Sequence, residues 1–213
     1  MKHLIYLGKV VLNLVLFMGL VFGGYAFMEP YLVSAAEATD SVIVTQSVVA
    51  GITISSPSDI TLTALSLTQN TAVGSAAWTV VTNNQAGYAL TIKASTAPAL
   101  RDSSTSETFA DYTSTGKETW NVTNAYEFGW SAYGTHVTGH GTDTDCIATA
   151  DVPSATLKWE GFDGTTPIQM ASSTSETSMA GTASTLCVAT EQDTVFAPSG
   201  TYTATLTATA TTQ

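Results

Sequence analysis

Beyond the first forty residues, apolar and polar positions alternate along most of the chain with a period of two. The clearest stretch is residues 75–95, SAAWTVVTNNQAGYALTIKAS, where Trp78 and Val80 alternate with Thr79 and Val81. Further on, Tyr88, Leu90 and Ile92 alternate with Ala89, Thr91 and Lys93. A period of two sends successive side chains to opposite faces, so each run reads as a strand with one face toward a core. Asn83-Asn84-Gln85-Ala86-Gly87 lies between them and holds residues that tolerate positive φ. The spacing predicts a turn there, making the two strands the inner hairpin of the domain. Lys93 then points to solvent, as outward polar positions on such strands do.

The same alternation predicts further strands along the chain. Residues 41–49 (SVIVTQSVV) form a first strand, 51–55 (GITIS) continue it after a bend, and 60–65 follow the Ser56-Pro57-Ser58-Asp59 turn. The pattern dissolves over residues 96–115, read as a long connection that covers a sheet edge, with Phe109 and Tyr112 as anchors. Strands resume at 118–123, 126–133, 156–161 and 184–190. Phe128 and Trp130 share one strand face, and Leu157 and Trp159 another, which favours a core role for these aromatics. Residues 134–145 and 172–181 are polar connections. The run 200–211, GTYTATLTATAT, reads as one closing strand in which Tyr202, Ala204, Leu206, Ala208 and Ala210 alternate with threonines. No segment after residue 38 keeps a 3.6-residue period. Many short strands predict an all-β fold, and their uneven lengths and long connections favour a two-sheet β-sandwich.

The alternation is replaced at the start by a basic cluster, Lys2, His3 and Lys9, and an apolar run through residue 27. Ala36-Glu37-Ala38 then offers small residues where a signal peptidase cleaves. Residues 1–38 are read as a secretory signal helix, with residues 39–213 as a single domain; an uncleaved membrane anchor is the alternative. Export changes the reading of the two cysteines. In an oxidising compartment Cys146 and Cys187 most simply pair with each other, and their spacing fits no CxxC redox or zinc motif.

The chain carries 6 Lys and Arg against 17 Asp and Glu, a net charge of −11. After the signal only Lys93, Arg101, Lys117 and Lys158 are basic, which argues against nucleic acid and anionic lipid as partners. The Ser- and Thr-rich composition would also suit a disordered mucin-like stalk. Aromatics spread from Trp78 to Tyr202 argue instead for a packed core.

Three clusters hold candidate chemistry. His136, His140, Asp143 and Asp145 fall within GTHVTGHGTDTDC, a set that could bind Ca²⁺ through carboxylates or Zn²⁺ through nitrogen, against the plainer reading of a solvated loop. Trp120, Tyr126 and Tyr133 could stack on sugars if they share an exposed sheet face, which would make the chain a carbohydrate-binding module. Asp111 with Glu118 or Glu127 could be imagined as a glycosidase pair, though any acidic β-protein offers such pairs. The chain lacks a G-x-S-x-G elbow, an H-E-x-x-H pair and a phosphate-cradling glycine loop, so no enzyme is expected and no cofactor beyond the candidate Ca²⁺.

Four stretches carry a likeness: ITISSPSDITLT at 52–63, the 75–95 run, EFGW at 127–130, and GTYTATLTAT at the end. Together they resemble a group of uncharacterised secreted immunoglobulin-like β-sandwich surface proteins of small-genome environmental bacteria. More loosely, the chain is similar to pilus-associated sandwich domains. The resemblance implies an exported, non-enzymatic surface structural protein: a filament or surface-layer subunit, or an adhesin-like domain. Self-association or other surface proteins are the partners it implies. The first strand and the last are long, β-branched and nearly uncharged, without the Lys, Pro or bulges that guard sheet edges. Internal pairing is expected for the last strand, and the first is expected to be the one exchanged between subunits.

Overall fold

A computed structural model describes residues 37–112, 116–123 and 125–213. The expected signal helix, apart from residues 37 and 38, lies outside these. The chain divides into two units, Met1–Ser47 and Val48–Gln213. Of the first, residues 37–47 are described and form no strand. Among the described residues no helix is long and apolar enough to cross a membrane.

The second unit is all-β. It comprises β1 (Ile52–Ile54), β2 (Thr71–Thr82), β3 (Tyr88–Ala94), β4 (Arg101–Asp102), β5 (Ala110–Asp111) and β6 (Tyr126–Gly134). These are followed by β7 (Ile147–Thr149), β8 (Val152–Pro153), β9 (Ile168–Ser173), β10 (Thr182–Gln192), β11 (Tyr202–Thr203) and β12 (Leu206–Thr212). A five-stranded sheet has the order β1-β2-β10-β6-β5, and a three-stranded sheet the order β12-β3-β9. Two small pairs, β11-β4 and β7-β8, complete the set.

The two larger sheets share one core. Tyr88, Leu90 and Ile92 of β3 pack in one cluster with Val80, Phe128, Trp130, Leu186 and Val188 of the five-stranded sheet. Alternation thus predicts the inward set correctly, and Lys93 is exposed between buried neighbours as expected. Phe109 and Tyr112 are buried anchors, and β5 pairs with β6 to cover that sheet edge.

The inner hairpin is corrected. β2 pairs with β10 and β1, whereas β3 pairs with β12 and β9, so the two strands belong to different sheets. The turn between them crosses from one layer to the other. Gly87 sits at φ 85, its amide donates to the Asn84 carbonyl at 2.9 Å, and Asn84 Nδ2 donates to the Gly87 and Gln213 carbonyls. Any side chain at 87 would also strike the Ser173 carbonyl, so glycine is required twice over.

Other expected strands are corrected too. Residues 41–49 form no ladder, because alternation makes a segment competent for a strand and only a partner's backbone makes it one. Residues 60–65 form no strand, with Ile60, Leu62 and Leu65 leaning on the core. Residues 118–123 and 156–161 make isolated bridges, among them Glu118 with Trp159 and Trp130 with Glu160. The closing run splits, since β11 pairs with β4 and β12 with β3.

The five-stranded sheet is covered on its other face as well. Val73, Tyr112, Val122, Leu157, Trp159, Ala189 and the Cys146–Cys187 disulfide form a second cluster there. The expected cysteine pair is therefore present, 41 residues apart in sequence.

Candidate functional site

The polar loop after β6 folds inward, where solvated residues were expected. Gly139 (φ 82) and Gly141 (φ 97) flank His140 and let the backbone turn it under the chain. A Cβ at 141 would lie 2.1 Å from the Thr156 carbonyl oxygen, so the loop presses directly on its neighbour. His140 ends up 1% exposed with its ring against Trp130. Its Nδ1 is 3.0 Å from the Lys158 carbonyl, which can only accept, so Nδ1 carries the proton. Nε2 then offers a lone pair to the Lys117 ammonium at 2.7 Å. Burial, and after it the Lys117 charge, hold the His140 pKa down at about 4. The ring is therefore neutral near pH 7, and its 3.6 Å approach to Glu160 is not an ion pair.

Lys117 itself pairs with Glu160 at 3.5 Å and sits over the Trp130 ring. Burial pushes the Glu160 carboxyl up, and Lys117 opposes that rise. Ser131 Oγ lies 3.4 Å from His140 Nδ1, which invites a nucleophile–base reading. The geometry opposes it. Ser131 is fully buried and donates to the Lys158 carbonyl at 2.7 Å, so serine and histidine protons aim at one shared acceptor. A nucleophile needs the base's lone pair, and that lone pair faces Lys117.

The four candidate metal ligands face different partners. His136 Nδ1 bonds the Tyr88 hydroxyl at 3.0 Å, tying the loop to β3. Asp143 accepts from Thr144 N–H at 2.8 Å, from Thr156 Oγ1 at 2.7 Å and from Ser154 Oγ, and these bonds lower its pKa to about 2. Asp145 accepts from Ile147 N–H at 3.1 Å. Each side chain serves a different local partner, and among the described residues no three His, Cys, Asp or Glu gather as a metal site. Spacing along a loop could not foresee this, because His136 and His140 meet partners distant in sequence.

The three candidate sugar-stacking aromatics are likewise not brought together. Trp120 stacks on Tyr112 at 4.6 Å, meets Trp159 edge-on and donates from Nε1 to Glu191 at 2.5 Å. Tyr133 leans on the same cluster, whereas Tyr126 packs on the inter-sheet core against Phe109. Tyr126 and Tyr133 are seven positions apart on β6, an odd number, so they leave opposite faces. All three are half-buried. Gly129 explains the flat stack over β6, for a Cβ there would lie 2.8 Å from both Trp120 and Tyr112.

An open cleft of about 310 Å³ is lined by Asp111, Tyr112, Gly116, Glu160, Gly161, Phe162 and Asp163. Burial raises the Asp111 carboxyl, which also accepts from Ala99 N–H. Neither of its imagined acid partners, Glu118 and Glu127, lines this cleft.

Sequence reasoning missed Asp102. Its carboxylate accepts from the amide and hydroxyl of Ser104, from Thr105 N–H and from Thr201 N–H, joining the β4 turn to the approach to β11. The Asp-x-Ser spacing of an Asx turn was the available signal.

The longest edge strand with no further bonded neighbour among the described residues lies elsewhere, at β12, close to β1 of the other sheet. β12 ends the three-stranded sheet, and its inward residues Leu206, Ala208 and Ala210 are only half-buried. The opposite edge, β9, is covered by residues 136–137, through the Val137–Ala171 bridge and the Ser172 N–H bond to the His136 carbonyl. No protein-family model, curated protein or solved structure matches the chain.

Proposed function

We propose that this chain is an exported, non-enzymatic structural protein of the cell surface, a subunit that associates with copies of itself. Its framework is read as an immunoglobulin-like version of the two-sheet packing. The observation that carries this reading is the segment 41–49. Val42, Ile43, Val44, Val48 and Val49 are 79–89% exposed, a β-branched run without a single charge. Soluble monomers rarely leave such a run bare, and bare apolar runs mark association surfaces. Two further facts support it. The disulfide suits an oxidising compartment outside the cytoplasm. His136, His140 and the buried Ser131 beside His140 are engaged in internal bonds that brace loops.

The test is the state of the chain as cells produce it. Sedimentation and negative-stain electron microscopy should find filaments or lattices that grow with concentration, and removal of residues 39–49 should leave folded monomers. A full-length product that stays monomeric at high concentration overturns the proposal.

A further inference from the structure

We infer that residues 41–49 of one copy add as a strand to the outer edge of β12 in a second copy. This rests on the self-association proposed above and names its seam. The β12–β3 register gives the geometry of the acceptor. Ser95 N–H donates to the Thr205 carbonyl and Gln213 N–H to the Gly87 carbonyl, so the odd positions of the last strand are those bonded to β3. In an antiparallel ladder the alternate residues then turn their backbone groups away. Leu206, Ala208, Ala210 and Thr212 thus present a row of N–H and C=O groups to an edge where no further strand is bonded among the described residues.

Other sheet edges are short or covered. β1 spans three residues, β5 two, and β9 is bridged by residues 136–137. β12 runs seven residues with neither charge, proline nor bulge, the devices that normally block pairing.

The occupant fits by length, face and charge. Nine extended residues reach roughly 30 Å, enough to cover the roughly 23 Å of β12. Val42, Val44 and Val48 share one face with Gln46, while Ser41, Thr45 and Ser47 lie on the other with Ile43 and Val49. Paired strands keep matching faces. The valine face therefore lies beside Leu206, Ala208 and Ala210, over a flank of the core whose Ile60, Leu62 and Leu65 are also half-buried. Copies of a chain with net charge −11 repel, and this seam joins two uncharged segments. Main-chain bonds supply affinity in such strand addition, and side-chain alternation supplies register.

The experiment mixes two single variants of the full chain, collected as cells export it. One carries Thr45→Cys, the other Thr207→Cys, Thr209→Cys or Thr211→Cys, all exposed positions. Under mild oxidation one β12 position should give a mixed disulfide dimer in high yield, because adjacent strands bring Cα atoms within bonding range. A Gln169→Cys partner on the β9 edge should give at least tenfold less. Ala208→Pro removes an outward N–H that β3 does not use, so it should fold with an unchanged thermal midpoint and fail to assemble. Thr209→Pro breaks a β3 bond and should lower that midpoint. Equal cross-linking at β9, or assembly unaffected by Ala208→Pro, overturns this seam while leaving self-association intact. A Thr45→Cys/Thr209→Cys double variant that closes only within single chains overturns it too. Absence of any assembly by the unsubstituted chain overturns both.

Discussion

β6 and β12 are both regular strands, and they are treated in opposite ways. Six consecutive residues of β6 are buried, because one face meets the inter-sheet core and the other meets the disulfide cluster. β12 alternates half-buried with exposed residues and, among the described residues, has a bonded neighbour on one side only. Trp130 lies on β6, Trp120 packs over that strand against Trp159, and the cross-link ends on β10, whereas β12 is one leucine followed by alanines and threonines. With its stability concentrated in the doubly covered centre, the fold does not depend on the edge that the proposed association would use.

Large-to-small substitutions test that contrast most directly. Trp159→Ala empties a fully buried site and removes the Nε1 bond to the Ser154 carbonyl, and should cost about 3–5 kcal/mol in denaturant unfolding. Leu206→Ala at the half-buried edge should cost less than about 2 kcal/mol. Equal losses would break the comparison.

Replacing both Cys146 and Cys187 by serine releases a 41-residue separation on the covered side. On the chain-entropy account the loss is about 4 kcal/mol, read as a shift in the urea midpoint. If the fold is held chiefly from that side, the variant should also exchange β6 and β10 amides far faster.

Acid should act through the same half. The folded chain resists protonating His140 down to about pH 4, whereas the unfolded chain takes up the proton near its ordinary 6.5. More protons bound in the unfolded state mean that stability falls as pH drops from 6.5 to 4 and is unaffected by this group above 6.5. The loss is roughly 3 kcal/mol. Glu160 and Asp111, whose carboxyls are pushed up by burial, titrate in the opposite sense and offset part of it at the acid end. His140→Asn keeps a donor for the Lys158 carbonyl, and its stability should be flatter across that window. Parallel pH profiles for the two proteins would discount His140.

The smallest effect sharpens the picture of the outer face. Gly129→Ala forces a methyl against Trp120 and Tyr112 and should cost about 1–3 kcal/mol. Near-ultraviolet circular dichroism should register the disturbed stack, and the proposed association through β12 should be unaffected.

Much of this was legible in the residues. Tyr88, Leu90 and Ile92 point inward and Lys93 outward because a strand's side chains must alternate, whatever surrounds it. Phe109 and Tyr112 stood out as anchors in a polar stretch, and two cysteines left one possible pairing. The odd spacing of Tyr126 and Tyr133 already placed them on opposite faces, so their sugar platform could have been dismissed on parity alone. Asp102 was legible in its Asx-turn spacing and was passed over.

What the sequence by itself determined is therefore local: the all-β character, the inward face of each run, and the turn at 83–87. Partners were decided only in the folded chain. Period two is satisfied equally by strands side by side in one sheet and by strands facing each other across a core, so nothing local told β2 and β3 that they belong to different layers. Nor could alternation separate β12, which found β3, from residues 41–49, which form no ladder. His140 shows the same limit for chemistry. Its glycine-flanked loop reads as solvated, and only long-range packing beneath Lys117 and against Trp130 and Lys158 made it a buried, neutral brace. Backbone pairing and burial depend on residues distant in sequence, and such contacts leave no mark on local pattern.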